Sequence, residues 1–289
     1  YIAMEQLLLS EGETALDGRL REKIQIIPPQ HVLDLFNVEY VITDKLGDLW
    51  IDGVYYDLQQ TAILSKAGPQ EVVGEPEIPL SATAIGIVSH LQGSSAIGQG
   101  TIIGEVILND ANGCQTRLPV RAGIDTAQGQ HIGVEAHSQT RLVYRSSEGI
   151  GDYLAVLNFE DSPMRPVTVT LRLLSDETAW VVRGLSLIDG RTGGHRPVLV
   201  STEQRLRRIH SGDVKVYKVT EGLPRAYVVH RATVQESEES VIATLIDPTF
   251  EPAEQVILSQ GDNLAVYPDG KDAVEIAVHS PERVVIHTD

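Results

Sequence analysis

The sequence predicts a mainly β protein with an α+β part, in which a β-sandwich of jelly-roll type is inserted into a discontinuous α+β domain. Short apolar runs with a two-residue period fill the middle of the chain, and polar turns separate them. Helical patterns occur only towards the two ends. The interval between Lys66 and Lys215 contains no lysine, which marks the middle of the chain as compositionally distinct.

The predicted inserted domain covers residues 73–202, and the outer domain combines residues 1–72 with residues 203–289. A chain of 289 residues is long enough for two domains, because one domain typically has ~100–200 residues. Glycine and proline residues, which are typical of turns and loops, lie near both boundaries, at Gly68-Pro69 on one side and at Gly193-Gly194 on the other.

Alternation of apolar and polar residues predicts the strands of the inserted domain. Residues 101–108 and 114–122 flank a five-residue loop rich in Asn and Asp, which predicts a hairpin. Residues 153–159 and 179–188 are similar apolar runs. The segment 166–174 has one polar and one apolar face, which is typical of a strand at the surface of a core. The apolar face comprises Val167, Val169, Leu171 and Leu173.

The outer domain contains both helical and strand patterns. Pro29 can begin a short helix, and residues 38–43 alternate as a strand. A second helix is predicted from Ser237 as its N-cap to Asp247-Pro248. The apolar face of the first helix would comprise Val32, Leu35 and Phe36, and that of the second would comprise Val241, Ile242, Leu245 and Ile246. Strands are predicted after the second helix, at 274–280 and 283–287.

Composition and motifs exclude several classes of function. The formal net charge of −17 repels phosphate backbones, so we expect no nucleic-acid partner. Cys114 is the only cysteine, which excludes an intrachain disulfide and a zinc site built from several thiolates. The glycine-rich segment 98–104 leads into an apolar strand, which favours a turn over a phosphate-binding loop. We find no nucleophile elbow and no acid–base pair, and therefore expect no catalytic residue in this chain.

The loop after the strand 114–122 carries the candidate ligand-binding residues. Arg121 and Asp125 lie at the end of a predicted sandwich strand, where such folds commonly hold ligands such as sugars. The alternative is an Arg–Asp ion pair that only orders the turn. His137 is the third candidate for ligand binding.

Three aromatic residues, Trp180, Tyr144 and Tyr153, are candidates for stacking on a sugar ring. On predicted strands such as theirs, the alternative is that the rings belong to the core or to a strand edge.

Metal ligands are sparse in the sequence. His131, Glu135 and His137 would share one face of an extended segment, but a loop with solvated polar side chains is the more ordinary explanation for them. Asp110 and Asn112 could offer oxygen ligands to calcium, although a five-residue loop between strands is more often only a turn. We predict no cofactor and no bound transition metal. Calcium stays open as a structural ion, because jelly rolls often bind it through backbone carbonyls.

Four segments in chain order resemble the YfhO family of large bacterial multi-pass membrane proteins. Residues 216–229, "VYKVTEGLPRAYVV", are similar to the family's LPRA segment, and residues 35–43, "LFNVEYVIT", are similar to its helix-to-strand segment. Residues 243–250 resemble a helix end of the family, and residues 274–289 resemble its paired strands. We interpret Pro224 and Arg225 in the first segment as structural residues at the entry of a strand over 226–229.

The resemblance implies a location and a context. Members of the family have a membrane portion that resembles glycosyltransferases with lipid-linked sugar donors, and their soluble part lies on the extracytoplasmic side of the bacterial cytoplasmic membrane. We therefore expect an accessory region that binds a cell-envelope glycan or glycosyl acceptor and is not itself catalytic. The alternative is a structural or protein-interaction module without a small ligand. We also expect the parent chain to continue upstream into apolar segments of ~18–25 residues and downstream into a further strand.

Overall fold

A computed structural model describes residues 7–8, 27–93, 97–130, 139–159, 163–202, 205–264 and 273–288. Its contacts divide the chain into two compact units. The larger unit is Ile42–Tyr217, and the terminal unit combines Tyr1–Val41 with Lys218–Asp289. The predicted domain boundaries at 72/73 and 202/203 both fall inside the larger unit. Autonomous folding of residues 73–202 stays a prediction.

Strands make up 50% of the structure and helices 7%, which confirms the mainly β prediction. The first ten strands are β1 (Tyr40–Thr43), β2 (Leu49–Ile51), β3 (Val54–Tyr56), β4 (Ala62–Leu64), β5 (Glu71–Gly74), β6 (Ala84–Gly93), β7 (Ile102–Asp110), β8 (Gln115–Arg121), β9 (Arg141–Arg145) and β10 (Gly151–Asn158). They are followed by β11 (Pro166–Leu173), β12 (Thr178–Asp189), β13 (Gly194–Val198), β14 (Leu206–Ser211), β15 (Lys215–Val219), β16 (Arg231–Val234), β17 (Gln255–Leu258), β18 (Val274–Ser280) and β19 (Arg283–Thr288). The helices with described bounds are α1 (Gln30–Leu35) and α2 (Glu238–Ile246).

Two antiparallel sheets of the larger unit share one apolar core. The six-stranded sheet has the order β13-β12-β6-β10-β9, with β4 also paired to β12, and the four-stranded sheet has the order β5-β11-β7-β8. Trp180 and Ile87 of the first sheet belong to the same buried cluster as Val106 and Leu171 of the second. A core shared by two sheets agrees with the predicted β-sandwich. Its jelly-roll topology stays a prediction.

The predicted alternation of β11 holds for three of its four apolar residues. Val169, Leu171 and Leu173 are buried in the shared core. Val167 is exposed, because the pairing of β11 with β7 shifts register between Pro166 and Thr168. Such an irregularity turns a side chain to the other face of the sheet.

A short hairpin, β2–β3, covers part of the outer face of the six-stranded sheet. Tyr56 packs with Leu58, Val88 and Leu154 in a second apolar cluster. Gly86 makes this approach feasible, because a Cβ atom there would overlap the Tyr56 hydroxyl group. The turn residues Asp52 and Gly53 both have positive φ, at 52° and 78°, which suits a two-residue turn between twisted strands.

β14 and β15 join β1 in a three-stranded sheet of order β1-β15-β14. Within the larger unit, buried charges connect β14 and β15 to the chain around the β2–β3 hairpin. The Lys215 ammonium group donates to Asp48 at 2.8 Å and to Asp57 at 3.0 Å, and the Arg208 guanidinium group donates to Asp57 at 2.7 Å. Tyr217 also donates to Asp57, at 2.8 Å.

The terminal unit contains both helices and two small sheets. β16 and β17 pair in parallel, and β18 and β19 form an antiparallel hairpin. α2 begins after Ser237 and ends before Asp247, as the sequence predicts, although the Ser237 side chain makes no capping hydrogen bond. None of the α2 residues is fully buried, and α1 buries Val32 and Leu33. No helix in the described part of the chain is long and apolar enough to span a bilayer.

The prediction of a strand over residues 226–229 is wrong. β15 ends at Val219, and residues 220–230 form bends and irregular backbone. The backbone N–H of Leu223 donates to Asp34, and its carbonyl group accepts a 2.9 Å hydrogen bond from the Asn37 side chain. These bonds hold the segment before Pro224, so its polar backbone groups are satisfied without a partner strand.

Candidate carbohydrate-binding surface

Arg121 and Asp125, two of the predicted ligand-binding residues, lie in one turn. The Asp125 carboxylate accepts a 2.8 Å hydrogen bond from the backbone N–H of Arg121, and its Oδ2 lies 3.9 Å from the Arg121 guanidinium group. Burial raises the pKa of Asp125, and the Arg121 backbone N–H and guanidinium group oppose that rise. The Asp125 carboxylate therefore orders the turn. Ligand binding by this pair stays a prediction, and His137 lies outside the described residues.

The three aromatic candidates occupy different environments. Trp180 is fully buried in the sandwich core, and Tyr153 is buried with its hydroxyl group donating to the carbonyl of Gln128 at 3.2 Å. Tyr144 on β9 is 38% exposed. Of these three residues, only Tyr144 therefore presents a substantial ring surface to solvent.

The candidate metal ligands give no site in the described part of the chain, where no group of three or more His, Cys, Asp or Glu residues is arranged to hold an ion. His131, Glu135 and His137 lie outside the described residues. Asp110 accepts hydrogen bonds from the backbone N–H groups of Asn112 and Cys114, both at 2.8 Å, and so closes the β7–β8 turn. Binding of a structural calcium ion stays a prediction.

The aromatic surface with the best geometry for a ligand is centred on Trp50, which the sequence prediction missed. Trp50 lies on β2 and is 63% exposed. Its ring packs against Tyr55, with the centroids 5.1 Å apart and the planes at 39°. The ring of His195 on β13 meets Trp50 edge-on, with the centroids 5.7 Å apart. Two neighbours therefore hold the indole in place while most of it faces solvent.

The inner partner of Trp50 is itself fixed. Tyr55 is buried, and its hydroxyl group donates to Asp48 at 2.6 Å. Burial and this hydrogen bond raise the pKa of Tyr55 far above its usual range, so the hydroxyl group stays a donor. Lys45 places its ammonium group 5.0 Å from the centre of the Tyr55 ring. Lys45, Tyr55, Trp50 and His195 thus form one series of contacts around the exposed indole, which we call the Trp50 surface.

Polar groups flank the Trp50 surface. Asp52 in the hairpin turn forms a two-pronged ion pair with Arg141 of β9, and one of its two hydrogen bonds measures 3.1 Å. The hydrogen bond to Arg141 lowers the pKa of Asp52, which keeps that carboxylate charged. The hairpin that carries the exposed Trp50 ring therefore also carries a charged acceptor, Asp52, which is paired with a donor on β9.

A local sequence signal for Trp50 does exist. In "LWIDGVYY", Leu49 and Ile51 alternate with Trp50 just before an Asp-Gly turn. The sequence therefore predicts a hairpin in which Trp50 faces the opposite side from Leu49 and Ile51. The sequence does not predict the supporting contact with His195, because that contact joins positions 145 residues apart.

The buried charges around Asp57 form the second cluster of titratable groups in the larger unit. Burial by itself would raise the pKa of Asp57, but Lys215, Arg208 and the Tyr217 hydroxyl group together hold it below its usual value. Asp57, Lys215 and Arg208 are all buried, so no substrate reaches them. We assign this cluster to structure, since a buried charge needs partners of this kind.

No protein-family model, curated protein or solved structure matches the chain.

Proposed function

We propose that this chain is a carbohydrate-binding accessory region, without catalytic activity of its own, and that the Trp50 surface is its binding site. The exposed indole, held between Tyr55 and His195, carries the proposal. A pyranose presents C–H groups on one face, which pack on an aromatic ring, and hydroxyl groups at its edge, which need polar partners. His195 beside the Trp50 ring and Lys45 over the neighbouring Tyr55 ring would supply those partners.

The affinity of such a surface is modest. The Trp50 surface is one aromatic platform on an open hairpin, and an open platform buries less of a ligand than an enclosed pocket does. We expect dissociation constants near the millimolar range, which corresponds to about −4 kcal/mol. A glycan that repeats along a polymer would compensate by engaging several copies at once.

The cellular context belongs to the same proposal. The segments at 216–229, 35–43, 243–250 and 274–289 support a place on the extracytoplasmic side of the bacterial cytoplasmic membrane, in a multi-pass protein resembling the YfhO family. There the Trp50 surface would present a cell-envelope glycan or glycosyl acceptor to a membrane-embedded glycosyltransferase-like portion. The proposal needs no cofactor and no nucleic acid.

A glycan array followed by calorimetry tests the proposal. We expect binding of at least one glycan, and a loss of more than about tenfold in affinity for Trp50→Ala, since the stacking platform is removed. Trp50→Phe should retain part of the binding. Tyr144→Ala is the matched control, because it removes another exposed ring from the same unit and should leave affinity unchanged. Glycan binding that survives Trp50→Ala would place the site elsewhere, and Arg121→Ala then tests the β8 turn.

One observation favours the alternative of a protein-interaction module. Leu46 in the β1–β2 turn is 90% exposed, and Ile42 on β1 is 68% exposed. Exposed apolar side chains of this size are typical of contact surfaces when they cluster. If no glycan binds, the alternative predicts that the chain self-associates or captures a partner, and that Leu46→Asp abolishes this association while Trp50→Ala does not.

A further inference from the structure

The terminal unit contains a small pocket that is independent of the Trp50 surface. Its cavity volume is about 280 Å³. The pocket lies where α2 ends and is lined by Ala243, Thr244, Asp247, Thr249, Phe250 and Gln255.

The local chain geometry explains why the pocket forms. α2 stops at Asp247 because Pro248 follows, and the chain then turns so that the backbone N–H of Phe250 donates to the carbonyl of Asp247 at 2.9 Å. The turn buries Phe250, which contributes an apolar wall together with Ala243. Gln255 begins β17 on the other side. The pocket therefore combines an apolar wall with a polar rim.

The polar rim is electronegative. Both hydrogen bonds from Thr249, at 2.8 Å from its N–H and 2.7 Å from its hydroxyl group, go to Oδ1 of Asp247. They leave Oδ2 without a hydrogen bond among the described residues. The carbonyl end of α2 adds partial negative charge, and its last turn contains no basic residue to neutralise it. The two Thr249 hydrogen bonds lower the pKa of Asp247, so its carboxylate stays charged.

We propose that this pocket binds a small primary ammonium compound with a short apolar tail. The ammonium group would donate to Oδ2 of Asp247 and to the side-chain oxygen of Gln255, and the tail would pack on Phe250 and Ala243. The volume lies below the ~300–1,000 Å³ of pockets for drug-sized ligands, so it suits a molecule of a few heavy atoms. A calcium or magnesium ion fits less well, because the lining offers one carboxylate and such ions take six or more oxygen ligands.

NMR titration of the ¹⁵N-labelled full chain with n-butylammonium chloride tests this proposal. We expect saturable shifts confined to residues 243–255 and a markedly weaker response to n-butanol, which has the same tail without the charge. Asp247→Asn should weaken binding by about tenfold or more, because it removes a charged hydrogen-bond acceptor. This variant keeps an oxygen for the Thr249 bonds, so the turn is preserved. Gln255→Ala should weaken binding by a smaller factor.

Glu238→Gln is the matched control, since it removes one negative charge from the opposite end of the same helix. Its affinity for n-butylammonium should equal that of the unchanged protein. Equal binding of n-butanol and n-butylammonium, unchanged affinity in Asp247→Asn, or shifts that do not saturate would each overturn the proposal. These outcomes are separate from those of the glycan experiments, which probe the other unit.

Discussion

The larger unit and the terminal unit bury their apolar side chains to different degrees. In the larger unit, two sheets enclose a single cluster around Trp180, Leu171 and Val106. In the terminal unit, α2 has no fully buried residue, and the β18–β19 hairpin exposes Val278, Val284 and Ile286. A two-stranded hairpin is at best marginally stable in water on its own. Substitutions at similar residue types should therefore have very different effects on the two units.

The difference also bears on the two proposed sites. The Trp50 surface rests on a hairpin that packs against the sandwich, so its geometry depends on a well-enclosed core. The pocket at the end of α2 is held mainly by a local turn, in which Asp247 and Thr249 bind each other. Ligand binding at the second site is therefore less sensitive to long-range packing.

Substitution in the enclosed core should give the largest effect. Trp180→Ala removes a fully buried indole and is expected to lower the free energy of unfolding by about 3–5 kcal/mol, as measured by urea denaturation followed by circular dichroism. Val241→Ala on α2 is the counterpart in the terminal unit and should cost less than about 1 kcal/mol. Similar losses for both substitutions would remove the distinction between the units.

The buried charges should give the next largest effect. Asp57→Asn removes the carboxylate that Lys215 and Arg208 share in a buried site and leaves each cation with one charged partner, Asp48 or Glu77, so we expect a loss of about 3 kcal/mol. Asp176→Asn is the control, because Asp176 forms an exposed ion pair with Lys66, and such pairs contribute about 0–1 kcal/mol.

The effect of Asp57→Asn should also depend on pH. The pKa of Asp57 is lowered in the folded state, so its stabilising contribution is present above the ordinary carboxyl pKa and is lost as the pH falls through the folded value. The difference in unfolding free energy between the unchanged protein and Asp57→Asn should therefore shrink from about pH 6 to about pH 3. A constant difference over this range would show that the charge of Asp57 is not what stabilises the cluster.

An intermediate effect is expected beneath the Trp50 hairpin. Gly86→Ala places a methyl group against the Tyr56 hydroxyl group, and overpacking of this kind costs about 1–3 kcal/mol. The hairpin should shift, so any glycan affinity should fall with the stability. Gly47→Ala has open space around the new methyl group and should be close to neutral by thermal denaturation and by calorimetry.

The smallest effect is expected on the exposed hairpin of the terminal unit. Ile286→Thr replaces an exposed apolar side chain on β19 with a residue that also favours strands, so the unfolding free energy should change by less than about 0.5 kcal/mol. A loss above about 2 kcal/mol would show that this face is covered in the folded protein, and the two units would then be less different than their described burial indicates.

The sequence predicts the local parts of this structure well. The alternation of Val169, Leu171 and Leu173, the β7–β8 hairpin and the end of α2 at Asp247 all follow from patterns within a few residues. Features that depend on distant partners were missed. No strand forms at 226–229, and just before this segment Asp34 and Asn37, almost 190 residues away, bind the backbone of Leu223.

Dependence on distant parts of the chain also explains what the sequence did not predict about the candidate sites and the buried charges. Lysine usage grouped Lys215 with residues 1–72, but that pattern does not show that its ammonium group is buried against Asp48 and Asp57. Trp180 looked like a stacking candidate but lies in the core, because the sequence shows that a strand is apolar without showing which sheet will cover it. Trp50 became a candidate only when its contact with His195 was known.

The turn between β7 and β8 has a practical consequence. Cys114, the only cysteine of the chain, is exposed, and its backbone N–H is fixed by Asp110. A maleimide dye or nitroxide would therefore attach at one position, at the edge of the four-stranded sheet and on an ordered turn. The same thiol will cross-link two molecules in air, since exposed thiols oxidise to disulfides. Purification with a reductant should give a monomer on a non-reducing gel, and removal of the reductant should give a band of twice the mass.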